Sequence, residues 1–243
     1  AFMGGNNFIS AGNGDNKVVD ISEPAPPAPP APIPPAPIPP APPAPIPPAP
    51  PTFNLGPKGI GDPLILDTNK DGKVDAKSGI GVDIDNNGVS DGAATGGDKM
   101  LAMGDLNGNG IIDGAEVFGD QTISPFTGKA LNAANGFDAL KMVAEDAQKI
   151  SALDIYKNGE VNVNLLKTAL EKYTGTSLGL ISDNNVTSLE KLGDLASINV
   201  DDYTQQNVSG DVQGKQSGFY TDTTGNTYKA DDIWFTLLNK FQS

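Results

Sequence analysis

Asp67-Thr68-Asn69-Lys70-Asp71-Gly72, Asp83-Ile84-Asp85-Asn86-Asn87-Gly88 and Asp105-Leu106-Asn107-Gly108-Asn109-Gly110 share one arrangement. Each sets an oxygen-bearing side chain at positions 1, 3 and 5 and a glycine at position 6. A tight loop turns those alternate side chains toward a single point, and the glycine permits the sharp bend. The third loop continues with the Ile111 carbonyl at position 7, apolar Ile112 at 8, Asp113 at 9 and Glu116 at 12. The first continues with the Lys73 carbonyl, apolar Val74 and Asp75, but offers only Ser78 at position 12. Either its affinity is lower or a carboxylate from elsewhere completes its shell. The second has the Val89 carbonyl and Asp91, with Ala94, which cannot ligate, at position 12 and Asp98 as a candidate substitute.

Every donor in these sets is an oxygen, so the expected ligand is a hard cation. Six to eight oxygens in a flexible loop suit calcium, whereas magnesium demands a stricter octahedron and dehydrates reluctantly. The third loop is a full twelve-residue EF-hand pattern. The spacing of the second is similar to the calcium loops of thrombospondin type 3 repeats. Asparagine replaces aspartate at several ligand positions, which lowers site charge and predicts weak sites suited to extracellular calcium. Lys70 and Lys73 fall at positions whose side chains point away from the ion. A fourth, decayed copy is expected at Asp154-Ile155-Tyr156-Lys157-Asn158-Gly159, where Tyr156 and Leu165 at ligand positions 3 and 12 predict loss of metal binding and survival of the glycine turn alone.

Composition narrows the chemistry further. The 243 residues carry a formal charge of −14, and all basic residues are lysine. Such a surface disfavours nucleic acid, whose phosphates need a basic partner. Histidine and cysteine are both absent, which disfavours tetrahedral zinc, thiol chemistry and serine–histidine catalysis. No apolar run approaches the ~20 residues of a membrane span. The start at Ala1 is expected from removal of a signal peptide or from trimming, and secretion is the expected location.

Four regions follow from local composition. Residues 1–23 form an extended N-terminal segment dotted with apolar residues, read as a possible docking strand between subunits. Residues 24–51 hold eighteen prolines in twenty-eight positions, too many for helix or sheet. They predict a polyproline II rod of roughly 85 Å at ~3.1 Å per residue. Its use as a spacer is expected, and glycans on it are compatible with its composition. Residues 52–61 read as a hinge, and residues 62–243 as one globular calcium-binding domain.

Within that domain the apolar spacing predicts helices over 136–148 and 163–173, the second stopped by Gly175. Strands are expected after Ala196, with a hairpin turning at Thr224-Gly225-Asn226. Trp234, Phe235 and Leu238 are expected on a C-terminal helical turn. The resulting fold class is α+β: EF-hand-like loops with short helices and a small C-terminal β region.

Several phrases resemble the EF-hand-like calcium-binding domain of bacterial secreted RTX-type proteins. They are Asp62-Pro63-Leu64-Ile65-Leu66-Asp67, Asn107-Gly108-Asn109-Gly110-Ile111-Ile112-Asp113-Gly114 and Val117-Phe118-Gly119-Asp120. Asn135-Gly136-Phe137-Asp138-Ala139-Leu140 and Ala230-Asp231-Asp232-Ile233-Trp234-Phe235 complete the set, which spans about residues 62–236. The resemblance extends to calcium-dependent self-processing modules that cleave their own Asp–Pro bond. It implies cleavage between Asp62 and Pro63, and joining of the freed aspartyl end to a lysine of another chain.

Two functions are therefore expected. The first is a secreted, calcium-stiffened structural protein of an extracellular filament or adhesin. Copies of the chain would assemble head to tail through the N-terminal segment. The alternative is the calcium-triggered self-processing module.

Overall fold

The computed structural model describes residues 60–206, 212 and 214–238. The N-terminal segment, the proline rod and residues 52–59 of the hinge lie outside the described residues. In chain order the elements are β1 (Ile60–Gly61), β2 (Leu64–Leu66), β3 (Ala76–Val82), β4 (Gly92–Ala94), β5 (Lys99–Met103) and α1 (Gly136–Ser151). β6 (Tyr156–Lys157), β7 (Glu160–Asn162), α2 (Val163–Tyr173) and β8 (Leu178–Ile181) follow. β9 (Leu195–Asn199), β10 (Thr204–Gln206), β11 (Gly214–Asp222) and β12 (Thr227–Thr236) close the fold.

The expected α+β class with EF-hand helices is not what forms. The molecule is mostly β: a curled antiparallel sheet with two helices among the described residues. Strand order is β6-β7-β9-β11-β12-β2-β5-β8, with β1 added to β12 and β10 to β11. β3 and β4 pair as a separate two-stranded ribbon. The reason lies in the residues before the loops. Leu64, Ile65 and Leu66 are fully buried, and they satisfy their backbone by pairing with β12 on one side and β5 on the other. The first loop therefore hangs from a strand, where an EF-hand would place a helix.

The central strands are apolar on both faces. Leu64, Leu66, Leu101 and Met103 face the cluster that contains the two helices. Ile65, Met100 and Ala102 face a second cluster containing Ile84 and Ile112 from the second and third loops, together with Ile233 and Phe235 of β12. Helices thus cover one face of the sheet, and the acidic loops cover the other.

α1 forms because Phe137, Leu140, Val143, Ala144 and Ala147 recur on one face and are all buried. The Asn135 side chain caps its start by accepting the Asp138 amide at 2.8 Å. The helix runs three residues past the expected Gln148 and ends at Ala152 with φ 56°. α2 covers the expected residues, capped by Asn162 and followed by Gly175 at φ 76°. The C-terminal expectation is overturned. Trp234 and Phe235 lie in β12, whose residues 227–234 pair with β11 through the turn at 223–226 and whose last two pair with β1. The supposed fourth loop copy is a hairpin between β6 and β7. Asn158 and Gly159 take φ 52° and 86°, the pair of left-handed residues that a two-residue hairpin turn requires.

Candidate functional site

The three acidic loops adopt one geometry. At position 1, Asp67, Asp83 and Asp105 each accept the amide of the position-6 glycine, at 2.9, 2.6 and 2.8 Å. At position 3, Asn69, Asp85 and Asn107 accept the position-5 amide at 2.9, 3.2 and 2.9 Å. At position 5, Asp71, Asn87 and Asn109 accept the amides of Lys73, Val89 and Ile111, each at 2.9 Å. Gly72, Gly88 and Gly110 all sit at φ 87°, a region that costs an L residue roughly 1–2 kcal/mol. One backbone conformation is thus built three times from three different sequences.

The closing groups differ. In the third loop Asp113 accepts the side-chain amides of Asn107 and Asn109, at 3.1 and 2.9 Å. Glu116 is fully buried and accepts the amides of Leu106 and Asp113, so positions 2, 9 and 12 are tied together. Burial, then the neighbouring Asp113, pushes the Glu116 carboxyl up to about 7. Asp113 itself is held low: burial opposes this, but hydrogen bonds with Glu116, the Ala115 amide and the two asparagines outweigh it.

In the second loop, Asp83, Asp85 and Asp91 bring carboxylate oxygens within 4.8 Å of one another. Asp91 is fully buried and accepts the amides of Ile84 and Leu238, pinning the loop to the residues after β12. Burial raises both Asp83 and Asp91 above the ordinary carboxylate range. Asp98, a candidate substitute for this loop, does not bond to it. Asp98 belongs to the first loop, where its two oxygens accept the amides of Thr68 at 3.1 Å and Asp75 at 2.7 Å. The Gly96-Gly97 turn beside Asn69 delivers it there. Ser78 lies in β3 opposite Gly92. Lys70 leaves the first loop for Asp194 at 2.6 Å and stacks over Tyr228. The donor sets, all oxygen and all on tight loops, fit a hard divalent cation.

A second constellation lies at Asp62 and Pro63, between β1 and β2. Asp62 is 5 % exposed, and its Oδ1 accepts the Asp120 amide at 2.6 Å. The Pro63 carbonyl accepts the Ile233 amide, and the next residue, Leu64, donates its amide to Phe118. The turn at 117–122 that holds Asp62 is knotted by the Thr122 hydroxyl. That oxygen is fully buried and lies 2.7 Å from the Gly119 amide and from the carbonyls of Val117 and Gly119. Gly119 is required by contact: a Cβ there would lie 2.9 Å from both the carbonyl oxygen and Oδ1 of Asp62. Asp232, fully buried, stands beside Asp62, its oxygens accepting the Gly136 amide and the Trp234 indole N–H. Burial first, then the charges of Asp232 and Asp120, pushes the Asp62 carboxyl well above the usual range. Asp120 and Asp232 carry no spacing signal in the sequence. Only the fold brings Asp120 to Asp62, across 58 residues.

These strands and loops define a β-rich module with acidic loops on one face of its sheet. The family model of the SPM domain matches residues 64–236, and the chain belongs to that family. No curated protein and no solved structure matches the chain. No helix among the described residues is long and apolar enough to cross a membrane.

Proposed function

We propose that this protein is a calcium-dependent self-processing module that breaks its own Asp62–Pro63 bond. The observation that carries the reading is the burial of the Asp62 carboxyl against the turn at 117–122, which begins at the residue after Glu116. The last ligand position of the third loop and the holder of the susceptible aspartate are thus four residues apart in one rigid segment.

The residues supply the chemistry of an intramolecular acyl transfer. Burial favours the neutral carboxylic acid of Asp62. A carboxyl oxygen of Asp62 attacks its own main-chain carbonyl carbon, the bond to the Pro63 nitrogen breaks, and the acid's proton ends on that nitrogen. The products are a cyclic anhydride at Asp62 and a free amine at Pro63. Confinement by Gly119 and the Asp120 amide limits rotation of Asp62, which raises the effective concentration of the attacking oxygen. Water or a lysine amine then opens the anhydride. Bound calcium supplies the positive charge that lets the crowded loop carboxylates ionise together and so fixes the loop geometry. The weak, asparagine-rich donor sets suit the ~10⁻⁴–10⁻³ M affinities of extracellular sites, so secretion is part of this proposal.

Millimolar calcium is expected to release a fragment beginning at Pro63, visible on a denaturing gel, and EGTA or Asp62→Ala to abolish it. A wild-type chain that stays whole for hours in calcium overturns the reading. The filament reading rests on residues 1–23, outside the described residues, and no contact among the described residues favours it.

A further inference from the structure

The proton that must reach Pro63 needs a carrier, and the carboxyl groups around Asp62 are not equivalent. Asp232 has both oxygens engaged, Oδ1 by the Gly136 amide at 2.7 Å and Oδ2 by the Trp234 indole at 2.9 Å. Asp120 differs. Its Oδ2 accepts the Gln121 side-chain amide at 3.0 Å, but its Oδ1 is buried with no hydrogen-bond partner. A buried acceptor left open costs about 1–3 kcal/mol, and such an atom calls for an explanation. The same residue holds Asp62 through its backbone amide, so its side chain belongs to the immediate surroundings of the Asp62 carboxyl.

We propose that Asp120 Oδ1 is the proton acceptor for the Asp62 carboxylic acid and the relay that delivers this proton to the Pro63 nitrogen. The assignment rests on the self-processing reading and adds a catalytic residue to it. One proton satisfies two needs: the Asp62 O–H gains an acceptor, and the open Asp120 oxygen gains a donor. As the Asp62 oxygen bonds to its main-chain carbonyl carbon, its proton passes to Asp120 Oδ1. As the C–N bond breaks, Asp120 gives that proton to the Pro63 nitrogen. Asp120 ends as it began, and no outside acid, base or oxidant enters. The backbone amide of Asp120 meanwhile keeps Asp62 Oδ1 in place, so one residue both orients the acid and carries its proton.

The test uses the full chain as wild type, Asp120→Asn, Asp120→Glu and Asp62→Ala, with two readouts. The first is the rate at which the fragment starting at Pro63 appears after calcium addition, followed by mass spectrometry. Asp120→Asn keeps the backbone amide and the side-chain size but cannot relay a proton. It is expected to slow cleavage by at least about 100-fold, with an unchanged calcium-induced rise in melting temperature. Asp120→Glu is expected to recover a measurable part of the rate. The second readout is the infrared carbonyl stretch of protonated carboxyl groups. The Asp62 band, assigned by its loss in Asp62→Ala, is expected to shift in Asp120→Asn. Cleavage of Asp120→Asn at the wild-type rate overturns the assignment, and so does an Asp62 band that ignores the substitution. The infrared result bears on the shared proton even when no chain cleaves, and absence of cleavage in the wild type counts against the self-processing reading itself.

Discussion

Glu116 concentrates the energetics of the third loop in one carboxyl. It is fully buried, bonded to two backbone amides, and its proton is held to about 7 against an ordinary 4.5. The metal-free native state therefore binds more protons here than the unfolded chain does between those values. Its contribution is fully present below about pH 4.5 and is lost as pH rises through 7, a swing of roughly 3 kcal/mol. Asp62 and Asp232, also held up by burial, act in the same direction. Thermal melts in EGTA should show the melting temperature falling between about pH 5 and 8, and Glu116→Gln should flatten that fall. The same substitution removes the position-12 carboxylate, so calorimetric affinity for calcium should drop at least ~10-fold. A pH-independent melt, or unaltered affinity in Glu116→Gln, would contradict this account of the loop. For the first loop the corresponding test is Asp98. Replacing it by alanine removes the Asp98 acceptor of the Asp75 amide and leaves the Thr68 amide with the Leu66 carbonyl alone, which should lower stability by about 1–3 kcal/mol in chemical denaturation.

At the scale of elements, legibility followed periodicity. α1 and α2 could be read because their apolar residues repeat at helical spacing and Gly175 stops the second; the Asn135 and Asn162 caps emerge only in the structure. The local loop geometry could be read because it depends only on side chains reaching amides two to five residues away. The surrounding sheet could not. Leu64-Ile65-Leu66, Met100-Leu101-Ala102-Met103 and Leu178-Gly179-Leu180-Ile181 are buried on both faces, so they lack the alternation that identifies a half-exposed strand. The Asn158-Gly159 turn could be read as a turn, but not as the turn of a hairpin. The same Asx-Gly chemistry serves a metal loop and a hairpin, and only pairing of Tyr156 with Val161 distinguishes them. Asp98 could not be assigned to the first loop from spacing, because thirty residues of chain fold back to bring it to Thr68. The helix face carries its own prediction. Leu140 is fully buried in the cluster that α1 shares with α2 and the sheet, so Leu140→Ala should cost about 2–5 kcal/mol. A cost below about 1 kcal/mol in denaturant titration would place α1 outside the core.

For the molecule as a whole, the sheet separates two tasks. Its helical face packs an apolar core, while its other face carries loops whose carboxylates crowd one another. Ligation on that face should stabilise the native state by mass action, so the melting temperature should climb with calcium concentration and fall back with EGTA. On the self-processing proposal, the resting arrangement already holds the reacting groups together: a buried acid beside its own peptide bond, clamped by a glycine and an amide. The most direct measurement is the intact mass of the wild-type chain, held in calcium or in EGTA. The account predicts two products in calcium, one ending in Asp62 and one beginning with Pro63, and a single unbroken mass in EGTA. One unbroken mass under both conditions, or a break at any other bond, would contradict it.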